Sequence, residues 1–322
     1  MRLSRLYRRY RPLRRGVRRV KNSAVYAAVR AANGLLAPLS LERALALADH
    51  IGDLVYFTLP KTRRLALKHI DLALGDSFPA TARRRIVRAA FRNMARCFCE
   101  VAKFDAIRAR LDDYVEVEGW EHLQAGLAEK QGVIAITGHV GNWELLAAYC
   151  ALKGVPVAAI ARRIYEPRIN QLLVDFRQRN GVQTILRESP TASRDMLRVL
   201  RSGGILALLI DQDTRVPSVS VPFFGRMART PAAAAALALR RELPVLPAFA
   251  QRRPGGGHRL TFLPLIRATR TGDRRRDVAA LTGVFNQILE ERIVKNPAEW
   301  VWWHRRWRHP PIPRLDLDCR VP

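Results

Sequence analysis

Gly132-Val-Ile-Ala-Ile-Thr-Gly-His139-Val-Gly-Asn-Trp-Glu144 passes from a short apolar run to a glycine-flanked turn and then to a helical start. A run this short, rich in β-branched residues and lacking polar alternation, predicts a strand over Gly132–Thr137 covered on both faces. Trp143–Lys153 has helical spacing and closes at Gly154. Downstream, strands at Val155–Ile160, Val182–Leu186 and Ile205–Ile210 alternate with helices at Pro167–Asn180 and Ala192–Arg201. A long loop follows, then a helix over Pro231–Arg241 and strands at Val245–Phe249 and His258–Leu265, joined by Gly255-Gly256-Gly257. Residues 275–296 form a last helix. Upstream, Val115–Val117 reads as a strand, whereas Leu41–Leu59, Lys61–Leu74 and Thr81–Ala106 are helical in spacing. Strands alternating with helices of this length predict an α/β fold, with a largely parallel central sheet covered by helices.

In open sheets of this kind, reacting groups collect beyond the carboxyl ends of the strands. His139 stands there, and the His-x4-Glu spacing with Gly141 between lets the Glu144 carboxylate turn back onto the imidazole. A carboxylate on one ring nitrogen fixes the tautomer, and the other nitrogen is free to take a proton from an alcohol. No serine or cysteine occupies a nucleophile-elbow setting, so direct attack by a substrate hydroxyl is expected rather than a covalent intermediate. No further ligands at zinc-site spacing accompany His139, and neither a metal nor a cofactor is expected.

Composition narrows the partners. The 322 residues carry 56 Lys+Arg against 28 Asp+Glu, a net charge of +28, so the surface attracts polyanions: an anionic leaflet, an acidic carrier protein or nucleic acid. The nucleic-acid alternative lacks helix-turn-helix spacing, an RNP-like stretch or a zinc finger, and the basic residues are scattered; no nucleic-acid partner is expected. Cys97, Cys99, Cys150 and Cys319 have neither disulfide-framework nor zinc spacing and are expected to be free thiols.

Ten of the first 21 residues are basic, and no acid precedes Glu42. Ala24–Leu41 is apolar-rich but interrupted by Arg30, Asn33, Gly34 and Pro38, which falls short of the ~20 apolar residues of a spanning helix. Residues 1–40 are expected to be a basic, helical membrane-associating region, shallowly inserted in an anionic leaflet. A full span with its basic flank cytoplasmic is one alternative, and a solvated tail before an ordinary helix is the other. Residues 41–312 then form the main domain, helical over 41–110 and α/β over 111–312, with a tail at 313–322.

His139-Val-Gly-Asn-Trp-Glu144 resembles the His-x4-(Asp/Glu) motif of the bacterial late lipid A acyltransferases, the lauroyl and myristoyl transferases of the lysophospholipid acyltransferase superfamily. Phe176-Arg177-Gln-Arg179-Asn-Gly181 resembles that family's Arg-x-Arg segment. Asp211-Gln-Asp213, then Val221-Pro-Phe-Phe-Gly225-Arg226 and Thr230-Pro231, resemble its acidic motif and Phe-Phe-Gly loop. Pro297-Ala-Glu299-Trp-Val-Trp302-Trp-His304-Arg305-Arg306-Trp307 resembles its C-terminal signature. These blocks follow family order over roughly residues 45–310. The segment Ala161-Arg162-Arg163-Ile-Tyr165-Glu166-Pro167 matches the family's Tyr-Arg-Pro stretch only loosely.

The resemblance implies an O-acyltransferase moving a fatty acyl chain from acyl-carrier protein or acyl-CoA to a hydroxyl of a membrane glycolipid. The implied acceptor is a lipid A precursor, with a phosphatidylinositol mannoside, another glycolipid or an aminolipid as rivals. His139 and Glu144 would be the catalytic pair. Arg177 would meet a substrate phosphate or carboxylate, or support the oxyanion. Asp211 would orient Arg177, bind a headgroup or cap its loop, and Asn142 would orient the pair or line the pocket. Phe223 and Phe224 would line the acyl slot, touch the bilayer or pack in the core. Trp300, Trp302, Trp303 and Trp307 would serve as an interfacial anchor or as core. The implied setting is lipopolysaccharide biosynthesis at the cytoplasmic face of the bacterial inner membrane.

Overall fold

Alternating burial along the central strands sets the architecture. In β2 (Val133–Thr137) and β5 (Ile205–Leu209), Val133 and Ile205 enter one apolar cluster while Ile134, Ile136, Leu206 and Leu208 enter another. Successive strand side chains point to opposite faces, so both faces of this sheet need cover. On one face the cover is Leu145, Leu146 and Tyr149 of α8 (Trp143–Leu152), Leu123 of α7 (Trp120–Ala128) and Phe176 of α9 (Pro167–Arg179). On the other it is Val199 and Leu200 of α10 (Ala192–Arg201), Leu237 and Leu239 of α11 (Ala233–Arg241), and Val278, Leu281 and Phe285 of α12 (Arg274–Lys295). Each such side chain, fully buried, contributes about 1.5–3 kcal/mol.

The computed structural model describes residues 20–308. The remaining strands are β1 (Val115–Glu118), β3 (Val157–Ala161), β4 (Val182–Leu186), β6 (Ser218–Phe223), β7 (Arg226–Pro231), β8 (Val245–Arg252) and β9 (His258–Phe262). The seven-stranded sheet has the order β1-β9-β8-β2-β5-β3-β4, and β6 and β7 form a separate hairpin. From β8 to β4 all neighbours are parallel. β9 turns back antiparallel to β8 through Gly255–Gly257, all three at positive φ, and β1 runs parallel to β9. The expected α/β fold with a mostly parallel sheet is therefore present, with an antiparallel junction near one edge.

Two expectations change. The long loop before Pro231 contains the β6–β7 hairpin, turned at Phe224 and Gly225, and Pro231 ends β7 instead of opening α11. The helix expected over Thr81–Ala106 divides into α4 (Ala80–Ala102) and α5 (Phe104–Arg108), followed by α6 (Leu111–Tyr114). With α2 (Leu41–Thr58) and α3 (Pro60–Leu74), α4 makes the helical part of the chain, and Asp53 of α2 accepts from both Arg88 and Arg92 of α4.

A helix, α1, occupies residues 20–36. Asn22 and Ser23 bond Tyr165 and Arg168, and Arg168 lies 4.1 Å over the Tyr26 ring. Among the described residues no helix is long and apolar enough to cross a membrane. The basic run before Val20, the tail from residue 309 and Cys319 lie outside the described residues; Cys97, Cys99 and Cys150 are free and buried.

Beyond the carboxyl edge a third cluster caps the sheet. It joins Val140, Phe223, Phe249 and Leu289 to Trp300 and Trp302, which are 1% and 0% exposed, so these two rings are core and not an interfacial anchor. Phe223 is likewise fully buried core. The chain after the 3-10 turn Pro297–Glu299 is laid across the His139 turn by an antiparallel bridge from Val140 to Trp300 and a bond from Gly141 N to Glu299 O. Gly141 has φ +59°, and a Cβ there would sit 1.6 Å from the Ala250 carbonyl oxygen. Gly141→Ala is expected to lower the unfolding free energy by roughly 3 kcal/mol or more, read from urea denaturation midpoints.

Candidate active site

The register of two strands builds the site. Thr137 of β2 pairs with Leu209 of β5, and Ile210 N donates to Thr137 O at 3.1 Å. Two residues beyond that pair, each chain reaches a polar residue: His139 on one side and Asp211 on the other. Asp211 is 0% exposed and accepts three hydrogen bonds: 2.7 Å from His139 Nδ1, 2.8 Å from His139 N and 2.9 Å from Trp300 Nε1. Burial alone would raise this carboxyl, but the His139 imidazole and its hydrogen bonds outweigh it and hold Asp211 well below the usual carboxylate range. A Cβ at Gly138 would press on Leu289 Cδ1 at 2.6 Å and stand in ordinary contact with Asp211 Cγ at 3.4 Å.

This arrangement assigns the tautomer. Nδ1–H of His139 donates to Asp211, so Nε2 carries the lone pair. The Gln212 amide nitrogen sits over the faces of both imidazoles, 3.1 and 3.4 Å from the ring nitrogens of His139 and 3.1 and 3.0 Å from those of His304, and the two rings meet edge to face at 4.7 Å. Burial and the neighbouring His139 push His304 down to about 3, so it is neutral. His139, Asp211 and His304 also place ligand-capable atoms within 4.8 Å of one another, which makes them the group that could hold a metal ion among the described residues.

Glu144 does not fold back onto the imidazole. Its carboxylate is engaged by Arg177, with Nε at 2.8 Å and Nη2 at 2.6 Å, and by Trp143 Nε1 at 3.1 Å. The reason is local: Glu144 lies in the first turn of α8 facing α9, whereas Nδ1 faces β5. Glu144 and Arg177 are each 8% exposed, a buried bidentate pair whose partners need one another. A further expectation shifts with it: Asp211 holds His139, not Arg177. Asn142, expected to orient the pair or line the pocket, is 2% exposed, caps α8 by accepting from Leu145 N at 3.1 Å and donates its amide to Glu100.

Beside this polar cluster, an apolar slot runs beneath α8 along the sheet. Trp143, Glu144, Thr137, Leu209 and Arg177 lie around it with the carboxyl strand ends, and Cys150, Val157, Ile205 and Leu246 with the amino ends. Its floor includes Ala135, Ala207 and Ala159, which are in-register neighbours on β2, β5 and β3, and Ala248 of β8. Trp143 joins the two regions, since its ring lines the slot and packs edge to face on His139 at 4.7 Å.

Of the residues singled out in the sequence, the structure pairs His139 with Asp211 and Glu144 with Arg177, a pairing that sequence reasoning missed. It also missed Gln212 and Trp300 as parts of the site and gave His304 no part in the chemistry. An Asp at the end of an apolar strand was the one usable signal for Asp211, and it did not specify which neighbour it would hold.

A histidine held by a buried carboxylate beside a greasy slot can, chemically, take a proton from a hydroxyl next to an acyl chain. Comparison with known proteins gives the family. The model for "bacterial lipid A biosynthesis acyltransferase" matches residues 18–309, and the chain belongs to that family and is an acyltransferase. It is 26% identical to the phosphatidylinositol mannoside acyltransferase of Mycobacterium tuberculosis over 71% of this chain and 72% of that one. It is 27% identical to the lipid A biosynthesis lauroyltransferase of Escherichia coli over 77% and 80%, and 23% identical to the palmitoleoyltransferase of the same organism over 84% and 87%.

The two carboxylates should separate in kinetics. Asp211→Asn frees the wrong tautomer and is expected to cut kcat by roughly 100- to 10,000-fold with donor KM little changed. Glu144→Gln is expected to act through Arg177 and stability, leaving the pH profile of the base in place. A base pH profile moved by Glu144→Gln and untouched by Asp211→Asn would reverse the assignment.

Proposed function

We propose that the protein transfers a fatty acyl chain from a thioester donor to a hydroxyl of a membrane glycolipid, with His139 Nε2 as general base. The observation that carries this is the His139–Asp211 pair, which leaves Nε2 with the lone pair on a ring that packs against Trp143, a residue lining the apolar slot. The acceptor hydroxyl gives its proton to Nε2 as its oxygen attacks the thioester carbonyl. Asp211 stabilises the imidazolium, and Arg177, held by Glu144, supplies positive charge toward the developing oxyanion. Collapse breaks the carbon–sulfur bond, and the imidazolium returns its proton to the departing thiolate.

The acyl chain enters the slot under α8. Its present volume of ≈ 50 Å³ is smaller than a fatty chain, so binding widens the space between α8 and the alanine row. Along β5, four residue steps from Ile205 to Leu209 give the slot a length of about 13 Å.

Acyl-carrier protein and acyl-CoA are the proposed donors, both polyanionic and suited to a chain of net charge +28. The proposed acceptor is a phosphorylated lipid A precursor, with a phosphatidylinositol mannoside as the rival that the mycobacterial relatives support. The proposed site of action is the cytoplasmic face of the inner membrane. In support, α1 turns Val20, Val25 and Leu35 outward at 71%, 45% and 63% exposure, beside Lys21 and Arg30.

Lipid mass spectrometry of membranes with and without the protein should show a species heavier by one acyl group, and His139→Ala should abolish it. An undiminished product with His139→Ala would end this mechanism. Ala207→Phe, which fills the middle of the slot, should shift the preferred donor to shorter chains, measured as kcat/KM across saturated acyl-CoAs. An unchanged preference would place the acyl chain elsewhere.

A further inference from the structure

The turn that carries His139 is held from behind by a helix outside the α/β core. α4 presents Asn93, Cys97 and Glu100, at helical i, i+4 and i+7 spacing, to residues around this turn. Cys97 Sγ donates to Gly141 O at 3.2 Å, and Asn142 Nδ2 donates to Glu100 Oε2 at 2.8 Å. Asn93 Nδ2 reaches Glu299 O at 3.5 Å, the same carbonyl that receives Gly141 N.

Glu100 is the centre of this contact. It is 0% exposed and accepts from Tyr114 Oη at 2.7 Å, His258 Nε2 at 2.9 Å, and Arg252 Nη1 and Nη2 at 2.5 and 3.0 Å, besides Asn142. Burial raises its carboxyl, but His258 and Arg252 more than offset that and hold Glu100 ionised. Four of its contacts are to β8, β9 and α6, which would suffice for a structural salt bridge. The fifth goes to Asn142, a residue that sits between His139 and Glu144 in the chain and caps the helix on which Glu144 and Trp143 are mounted.

We propose that Glu100 is a positioning residue for acyl transfer, fixing the His139 turn and the first turn of α8 through the Asn142 amide. Asp211 fixes the imidazole from the sheet side, and Glu100 fixes the backbone that bears it from the opposite side. The helical segment 41–110 thereby takes part in catalysis without contributing a group to the reacting atoms. A displacement of ~1 Å at a base is enough to cost about 100-fold in rate, so a buried, charge-assisted anchor is suited to this task.

This rests on His139 being the base, and the test separates the two ideas. The full-length protein is assayed as thiol released from lauroyl- or palmitoyl-CoA on phosphatidylglycerol vesicles carrying phosphatidylinositol mannoside or a phosphorylated glucosamine-disaccharide lipid. The variants are Glu100→Gln, Asn142→Ser, the double variant and His139→Ala, each with its Tm. Asn142→Ser keeps a capping oxygen for α8 but cannot reach Glu100. It is expected to lower kcat roughly 10- to 100-fold with KM within about twofold, at a temperature well below its Tm. Glu100→Gln should do the same, and the double variant should be no worse than the poorer single one, because both changes cut one connection. A kcat for Asn142→Ser within about twofold of wild type, with His139→Ala inactive, overturns the role of Glu100 alone, as do losses that multiply in the double variant. Full activity in His139→Ala overturns the base assignment instead. If Glu100→Gln does not fold, Asn142→Ser decides by the same kcat criterion.

Discussion

A single buried carboxylate organises the molecule. Asp211 has no exposure to solvent, yet it stays ionised because three N–H groups converge on it from the His139 backbone, the His139 ring and Trp300. A charge in that position costs several kcal/mol in lost hydration, which only well-formed hydrogen bonds offset. Two of the donors belong to His139 and the third to the C-terminal strap. The strand register sets His139 opposite Asp211, and the Val140–Trp300 bridge delivers the indole. The carboxylate therefore serves two ends at once: it pins the C-terminal strap to the sheet through Trp300 and leaves the His139 lone pair on Nε2.

Two carboxylates stand near the histidine, and only one is bonded to it. Glu144 is five positions from His139 in sequence, and a His-x4-Glu pattern invites the assumption that they pair. Helix geometry argues otherwise. Asn142 caps α8, so Glu144 projects from its first turn toward α9, where Arg177 meets it with two parallel bonds. Asp211 is 72 positions away and is the true ring partner. The division is chemically sensible: one carboxylate orients the imidazole, the other keeps a buried cation in place beside the slot, and each spends its oxygens on its own partners.

Much of the sheet was legible because buried parallel strands read as short runs of Val, Ile, Leu and Ala, and Val182–Leu186 and Ala192–Arg201 match expectation residue for residue. The β6–β7 hairpin was not legible. Ser218–Phe223 carries Pro222, which speaks against a strand, and of its two turn residues at positive φ the first is Phe224, an unusual choice beside Gly225. The site followed the same division. His139 and Asp211 each end an apolar strand and could be found singly, but their pairing depends on which strand lies beside β2, and strand order is not written in local spacing. Trp300 misled for another reason: a tryptophan among arginines has the composition of an interfacial anchor, and only the packing shows it as core.

The C-terminal signature Trp302-Trp-His-Arg-Arg306 resolves into parts with distinct physical duties. His304 faces His139 across Gln212, while Arg306, 0% exposed, is buried away from water. Arg306 bonds Arg229 O and Thr230 Oγ1 in β7 and Asn286 Oδ1 in α12, and it lies 4.5 Å over the Phe223 ring. Burial pushes it down to about 10, still far enough above neutrality to remain charged. A guanidinium suits this position because its planar fork satisfies several carbonyl and hydroxyl acceptors while its face stacks on an aromatic ring, and lysine offers neither. The charge thus serves as a rivet between the hairpin, α12 and the strap. That rivet ties the β6–β7 hairpin to the strap two residues beyond His304, whose ring packs edge to face on His139.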